Sequence, residues 1–354
     1  MGRLPRLRAA AQALHRPSGL RHPADVVRSA GPIQAQEPRA AKLAFRARAD
    51  GLTAADVDRA RTEERSLLRA WVMRKTVHLI PSEDAGWMVP LFADLIVPWS
   101  RRRLVHFGFP AEDRERGLQL MRRAVERDGP LTRPELVERL VSAGLPADTQ
   151  AKHHLWTLAT LEGGLCLGPD RGGLTCLVTV RDWLGETRPL PRDEALAELA
   201  RRYMRAYAPA TDRDLARWAG LPLRDARAGV QAIARELTEI RVGGETLLRP
   251  RKASRPPTRR FARLLGAFDN YNLAYESRDF YLPAAHAKQV IPGGGIIRPA
   301  IVLDGQIVGT WSSRRSGRRL TVELEPFADF DPEAGELVAA EVEDLGRFEG
   351  LTVA

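Results

Sequence analysis

The chain has 354 residues, of which 44% are hydrophobic, so it is long enough for two or more domains with sizeable cores. It carries 55 Lys and Arg against 45 Asp and Glu, a net charge of +10. This charge favours a polyanionic partner such as nucleic acid, although an arginine-rich coding bias accounts for it equally well. Cys166 and Cys176 match no zinc motif or disulfide framework, and no apolar run is long enough for a membrane helix or a signal peptide. We therefore predict a cytoplasmic protein with two buried thiols.

Three segments share one helix-start signature and recur at a fixed interval. Thr53, Thr132 and Thr211 are each followed three residues later by an acid, and successive threonines are 79 residues apart. A Thr hydroxyl can cap the backbone amide three residues on, and an acid there favours the positive end of the helix dipole. The signature also occurs by chance, but three copies at one interval indicate a tandem repeat.

Each signature precedes a short helix, a longer helix and a β-rich stretch, which is the order of elements in a winged helix. The β-rich stretches are residues 76–80, 165–180 and 240–248. In the second repeat, residues 151–161 are the predicted recognition-type helix, and a hairpin turns at 170–173. In the third repeat, residues 224–237 form the helix and a hairpin turns at 243–244.

A basic, proline-rich linker at residues 249–260 separates the repeats from a strand-like C-terminal part. There we predict strands at 300–303, 306–311 and 320–324 and a closing helix at 331–346. The fold class is therefore α+β, with three tandem winged helices and a C-terminal β-barrel-like domain. The predicted domains are winged helix 1 at residues 1–108, winged helix 2 at 109–188, winged helix 3 at 189–250, and the linker with the barrel at 251–354.

Two prolines bracket a short segment that carries a pair of glutamines. Because Pro32 and Pro38 restrict the backbone around them, this segment should be extended, with Gln34 and Gln36 on one side and a helix following at residues 39–48. Two primary amides offer both acceptors and donors to one small molecule. They can align a water with the anomeric carbon of a damaged nucleotide and stabilise a developing oxocarbenium ion. Alternatively, the glutamines simply bond loop backbone or solvent.

Several motifs resemble the AlkZ/YcaQ-type winged-helix DNA glycosylases, and the resemblance extends through most of the chain. Residues 31–38, followed by 40–48, look like the start of these proteins. Residues 74–79 are similar to the family's Arg-Gly-Thr-Leu-His-Leu element, with Lys75 in place of the glycine. Phe268-Asp269-Asn270 and Arg278 resemble its Phe-Asp-Asn element and following arginine, and residues 294–299 and 308–311 its C-terminal part.

The resemblance implies three tandem winged helices and a β-barrel around a DNA channel. It implies monofunctional excision of N7- or N3-alkylated purines from double-stranded DNA, including interstrand crosslinks, by a monomer without metal or cofactor. The family motif is Gln-apolar-Gln or Gln-apolar-Asp, so catalytic roles pass to Gln34 and Gln36. The Gln form resembles the branch that protects a producer against its own DNA-alkylating product. Further residues are expected in the substrate pocket: Thr76, His78, Asp269, Asn270 and Arg278.

Basic side chains are the second group of candidate DNA contacts. The predicted loop 312–319 carries Arg314, Arg315, Arg318 and Arg319 between two strands, where a hairpin would present them to phosphates. The run Arg101, Arg102 and Arg103 is a further candidate, with a solvated surface as the alternative. The three glycines at 293–295 lack the context of a phosphate loop, and His153 and His154 lack metal-ligand spacing.

Two other functions stay open from the sequence. A non-enzymatic winged-helix transcription regulator would bind one undamaged operator tightly and release no base, because winged helices more commonly read grooves than cleave bonds. A winged-helix protein-interaction scaffold would show no affinity for DNA even at low salt.

Overall fold

The computed structural model describes residues 3–15, 17–146, 149–253, 256 and 258–354. Residues 254, 255 and 257 of the predicted linker lie outside this part of the chain. The helices are α1 Arg3–Ala11, α2 Pro23–Ala30, α3 Pro38–Arg48, α4 Ala54–Thr62, α5 Ala85–His106, α6 Ala111–Asp128, α7 Arg133–Ser142, α8 Thr149–Leu161, α9 Val180–Leu184, α10 Arg192–Tyr207, α11 Asp212–Ala219, α12 Leu223–Ala232, α13 Asn270–Leu273, α14 Ala287–Val290 and α15 Pro332–Glu349. The strands are β1 Ile33–Gln34, β2 Leu67–Trp71, β3 Val77–Pro81, β4 Leu131–Thr132, β5 Leu165–Arg171, β6 Leu174–Thr179, β7 Leu237–Val242, β8 Glu245–Pro250, β9 Ala262–Leu265, β10 Ala300–Leu303, β11 Gln306–Ser316, β12 Arg319–Pro326 and β13 Thr352–Val353.

The chain divides into two compact units. Unit 1 comprises residues 1–58 and 196–354, and unit 2 comprises residues 59–195. The mixed α+β class is confirmed. The three-repeat organisation and the four predicted domain ranges stay predictions. The predicted order of a short helix, a longer helix and strands follows Thr132 and Thr211 but is wrong for Thr53, because α4 alone lies between Thr53 and β2.

The predicted helix caps are present at all three threonines. Thr132 and Thr211 form reciprocal capping boxes with Glu135 and Asp214. The Thr53 hydroxyl accepts from the amide of Asp56 at 3.3 Å, and the Asp56 carboxylate accepts from the Thr53 amide at 2.8 Å. These bonds satisfy amides that the first turn of a helix leaves without intrahelical partners.

Unit 2 packs helices against one sheet. Its strands follow each other in the order β3-β2-β5-β6-β4, and the β5–β6 hairpin turns at Gly172 and Gly173 as predicted. Helices α5, α6, α7 and α8 cover the sheet, with Met88, Phe92 and Leu158 in the core. Cys166 and Cys176 are buried and free, which confirms their prediction as buried thiols.

Unit 1 contains the β7–β8 hairpin, which turns at Gly243 and Gly244 as predicted, and a C-terminal half-barrel sheet. This sheet has the order β13-β12-β11-β10-β9 and is open at β9 and β13. Helix α15 packs against β9, begins at an Asp331 cap that accepts from the Ala334 amide, and ends at Gly350 in the left-handed region.

The prediction of a basic loop at residues 312–319 is wrong in its extent. Strands β11 and β12 pair from Gly309 opposite Pro326 to Ser316 opposite Arg319, so only residues 317 and 318 turn. Backbone pairing extends through a polar, charged stretch because the ladder bonds do not require apolar side chains. The arginines therefore lie on a long, regular hairpin arm rather than on a loop.

No helix among the described residues is both long and apolar enough to cross a membrane. Nor does this part of the chain bring three potential metal-ligating His, Cys, Asp or Glu side chains together.

Candidate active site

The glutamine pair lies in unit 1, on the short connection between α2 and α3. Gly31 begins the connection at φ 73°, and a Cβ there would lie 3.0 Å from the Trp218 ring. This left-handed conformation and close approach both require glycine. The segment is then extended at β1, as its flanking prolines predict.

The two amides are adjacent. Nε2 of Gln34 donates to Oε1 of Gln36 at 3.4 Å, while Ala35 between them is buried at 3% exposure. Gln34 is half-buried and Gln36 is exposed. An amide pair in this arrangement has dipoles available at the surface of unit 1, where a water and a sugar can approach.

The next residue fixes where the pair ends and α3 begins. Glu37 is the N-cap of α3, and its carboxylate accepts from the amides of Arg39 and Ala40. Pro38 occupies the first helical turn, where its missing N–H costs nothing. Gln36 is thereby held one residue before a rigid helix start.

A buried asparagine holds the other end of the segment. Nδ2 of Asn270 donates to the carbonyl oxygens of Ala30 and Pro32, each at 3.1 Å, and lies 2.9 Å from the Tyr207 hydroxyl. The Tyr207 hydroxyl in turn donates to the Ala30 carbonyl. Asn270 is 2% exposed, and its side chain is bound to the backbone on both sides of Gly31.

Asp269 forms an ion pair in the interior of unit 1. Its two oxygens accept from the Arg48 guanidinium at 2.7 and 2.8 Å, and the Arg48 side chain is 0% exposed. Burial alone lowers the pKa of Arg48, but the charge and hydrogen bonds of Asp269 outweigh it and raise the pKa. Arg48 also donates to Gln12 at 3.0 Å, and Asp269 caps α13 through the Tyr271 amide. This pair therefore fixes the loop that carries Asn270.

Arg278 lies further along the same loop. It is half-buried, and its Nε donates to the Asn272 carbonyl at 3.3 Å. Direct contact of Asp269, Asn270 or Arg278 with a substrate stays a sequence-based prediction.

A cleft of about 390 Å³ lies between the start of α3 and the half-barrel sheet; its lining includes Glu37, the residue after Gln36, but neither glutamine. Arg39 crosses it, donating to Ser313 on β11 at 2.9 Å and to Glu349 on α15 at 2.7 Å. The middle of the β11–β12 arm is therefore tied to the helix that follows Gln36. Sequence reasoning missed Arg39, Tyr207 and Trp218, because their roles depend on contacts between residues far apart in the chain.

The arginines of the β11–β12 arm are all exposed. Arg315 donates to the Gly317 carbonyl at 3.0 Å, and within the described ranges none of the four forms an ion pair. Exposed guanidinium groups without an ion pair suit phosphate contact, and the end of the arm that carries them is held by β13, which pairs with Arg319 and Leu320. The four are Arg314, Arg315, Arg318 and Arg319.

Unit 2 holds the other predicted pocket residues. His78 is 0% exposed, and its Nδ1 lies 3.1 Å from the Thr76 carbonyl oxygen, to which only a protonated nitrogen can donate. Its Nε2 then accepts from Arg74 at 3.1 Å. Burial, followed by the charge of Arg74, lowers the pKa of His78 well below its usual value, so the ring is neutral at pH 7. Lys75, which replaces the family glycine, adopts φ 59°.

The arginine run in unit 2 lies at the end of α5. Arg101 pairs with Glu162 at 2.6 Å, Arg102 is exposed, and Arg103 lies over the Phe107 ring at 4.6 Å. Their contact with DNA stays a prediction.

Comparison with known proteins gives one consistent result. The family described as DNA glycosylase AlkZ-like matches residues 27–348. An interstrand DNA cross-link repair glycosylase of Streptomyces sahachiroi is 29% identical over 308 residues, which are 81% of this chain and 80% of that protein. The solved structure of the Streptomyces sahachiroi DNA glycosylase AlkZ is similar with a TM-score of 0.80 at 27% identity, over 99% of this chain and 98% of the other. These relatives do not support the alternative of a non-enzymatic regulator.

Proposed function

Because the chain belongs to the AlkZ-like family of DNA glycosylases, we propose that it hydrolyses the N-glycosidic bond of N7- or N3-alkylated purines in double-stranded DNA, including bulky adducts and interstrand crosslinks. The observation that carries this proposal is the adjacent Gln34–Gln36 amide pair, held at both ends and accessible at the surface of unit 1. The related cross-link repair glycosylase supports the crosslink as a substrate.

For this reaction the protein mainly has to position a water molecule and stabilise the positive charge that develops on the sugar. An N7-alkylated guanine is cationic, so when the bond from C1′ to the base breaks, its electron pair neutralises the departing ring. Water adds to C1′ and loses a proton to solvent. The Gln34 and Gln36 amides align that water, and their carbonyl dipoles face the positive charge developing on the sugar.

We further propose that the protein acts as a monomer on chromosomal DNA in the cytoplasm and that its helix pairs and hairpins work as three winged helices. The Thr-capped helices and the two hairpin turns support this organisation. Protection of a producer against its own alkylating product is the biological role that the Gln form favours.

Incubation with two DNA substrates tests the activity. The purified protein, without added metal or nucleotide, should release N7-methylguanine from randomly methylated duplex and unhook an interstrand crosslink, leaving abasic sites. Free bases are identified by mass spectrometry and abasic sites by alkaline cleavage, with unmodified duplex as control. Tight binding to both substrates without base release would contradict the proposal.

Substitutions on the β11–β12 arm should weaken DNA binding and make it less dependent on salt. An Arg314→Ala, Arg318→Ala variant removes two exposed guanidinium groups. The slope of log K against log salt should fall by about 0.9 for each phosphate that the variant no longer neutralises. Fluorescence anisotropy from low to moderate salt measures the slope. The matched Arg314→Lys, Arg318→Lys variant keeps the charge and should keep the slope, and an unchanged slope in the Ala variant would contradict phosphate contact.

Asn270→Ala should slow base release much more than it weakens DNA binding. The substitution leaves the Pro32 carbonyl without its buried donor and the Ala30 carbonyl with only the Tyr207 hydroxyl, so the segment carrying Gln34 and Gln36 loosens. A misplacement near 1 Å costs on the order of 10²-fold in rate. Single-turnover rates and binding constants, measured separately, distinguish a positioning residue from a binding residue.

Tyr207→Phe provides the control for that experiment, since it removes one hydroxyl but leaves both Asn270 bonds to the segment. Its rate should fall less than that of Asn270→Ala. Equal losses of rate and affinity in Asn270→Ala would instead assign the residue to DNA binding.

A further inference from the structure

Unit 2 contains a cavity that the glycosylase mechanism does not use. Its volume is about 620 Å³, within the usual range of small-molecule sites, roughly 300–1,000 Å³. The floor is one face of the sheet, because Arg69 and Trp71 are two residues apart on β2, and Val77 and Leu167 are their neighbours on β3 and β5. Helices α7 and α8 form the walls.

Three cations line the cavity, and within the described ranges none of them forms an ion pair. Arg69 donates to the Thr175 hydroxyl at 3.2 Å, Arg133 lies over the Trp156 ring at 4.9 Å, and Lys152 is half-buried. Asp170, the acid that most attracts Arg69, is instead paired with Arg61. Cations gathered in a partly buried cavity without an ion-pair partner provide a site for an anion.

The two arginines of this lining are less stable in their charged form than exposed arginines are, as expected for cations that lack an ion-pair partner. Burial and then the charge of Arg61 lower the pKa of Arg69, and burial lowers the pKa of Arg133. Nε of Arg69 and Nε1 of Trp71 are buried and have no hydrogen-bond partner among the described residues. Both atoms are closed to solvent in this conformation, so a bound anion would contact the outer guanidinium nitrogens and the Lys152 ammonium instead.

Most of the remaining lining is apolar, and an inorganic anion alone would not require apolar contacts. Trp71, Val77, Trp156, Leu167 and Leu174 surround the cations, and Leu174 is 48% exposed. Glu138, the carboxylate in the lining, is exposed on α7. A ligand with a phosphate and a flat ring matches both halves of this lining.

We propose that this cavity is an accessory nucleotide-binding site, with the phosphate against Arg69, Arg133 and Lys152 and the ring against the apolar floor. Its lining residues all belong to unit 2, whereas the glutamine pair belongs to unit 1, and the proposal does not rest on the glycosylase activity. A free nucleotide and an unpaired nucleotide of a DNA strand share this chemistry.

Isothermal titration of the full chain tests the proposal with deoxyadenosine 5′-monophosphate, deoxyadenosine and inorganic phosphate. The monophosphate should bind at least about tenfold more tightly than either fragment, and less tightly as salt rises. Arg69→Gln and Arg133→Gln should each weaken it by about tenfold, the range for one lost charged hydrogen bond. Glu138→Gln should strengthen it. Arg123→Gln, on the exposed face of α6, is the matched control and should change nothing.

Competition by a short single-stranded oligonucleotide distinguishes the two possible ligands. If the oligonucleotide displaces the monophosphate, the site binds a nucleotide of a DNA strand. If it does not, the site binds a free nucleotide. No heat of binding, equal affinity for phosphate alone or for deoxyadenosine alone, or undiminished binding in both arginine variants would overturn the proposal. Circular dichroism of each variant confirms folding, and Lys152→Gln at the half-buried edge repeats the test if Arg69→Gln unfolds.

Discussion

A Gln34→Ala, Gln36→Ala double variant is expected to lose base release by about 10²–10³-fold, the effect of removing one preorganised polar group at a developing charge. The two amides lie within hydrogen-bond distance, with Nε2 of Gln34 donating to Oε1 of Gln36 at 3.4 Å. They therefore act as one unit, and each single Ala variant should lose nearly as much as the double. Single-turnover release of N7-methylguanine measures the loss.

The controls separate catalysis from folding and from DNA affinity. Gln231→Ala removes an exposed amide of unit 1 on α12 and should leave the rate unchanged. Gln36→Asp produces the other form of the family motif and should keep the rate within about tenfold, since a carboxylate also aligns water and faces positive charge. Neither change touches the backbone bonds of Asn270, so duplex affinity should stay constant throughout. Full activity in the double Ala variant would refute the assigned mechanism.

Local features of the fold could be predicted from the sequence because they depend on neighbours in the chain. The Thr132 capping box with Glu135 and the Gly243–Gly244 turn each need only a few adjacent residues. The extended glutamine segment also followed from its two prolines. In contrast, the length of the β11–β12 arm could not be predicted, because its polar residues carry no alternating apolar pattern and pairing alone extends it.

The hydrogen bonds that hold the candidate site in place could not be predicted either, but for a different reason. Asn270 reaches Ala30 across 240 residues and Tyr207 across 63. A single sequence carries no signal for such pairs. The resemblance to the family drew attention to Asp269 and Asn270 as pocket residues, and the structure adds the contacts that give Asn270 a positioning role.

The second large effect concerns stability. Asp269→Ala should lower the free energy of unfolding by about 3–5 kcal/mol, because it leaves the fully buried Arg48 guanidinium without its counter-charge. Urea unfolding, followed by circular dichroism, measures the loss. Arg227→Ala is the matched control, since it breaks an exposed pair with Asp212 and should cost no more than about 1 kcal/mol.

An Arg48→Met, Asp269→Leu variant separates two contributions to the free energy of unfolding: the destabilisation caused by an unpaired buried charge and the net stabilisation provided by the ion pair. Replacing a buried ion pair by apolar side chains of similar size is often neutral, so most of the stability lost in Asp269→Ala should return. Base release should not return with it. Asp269 also caps α13 through the Tyr271 amide, immediately beside Asn270, and leucine cannot replace that bond. Stability restored without activity would show that the pair serves to position the catalytic segment, whereas full recovery of both would limit its role to compensating a buried charge.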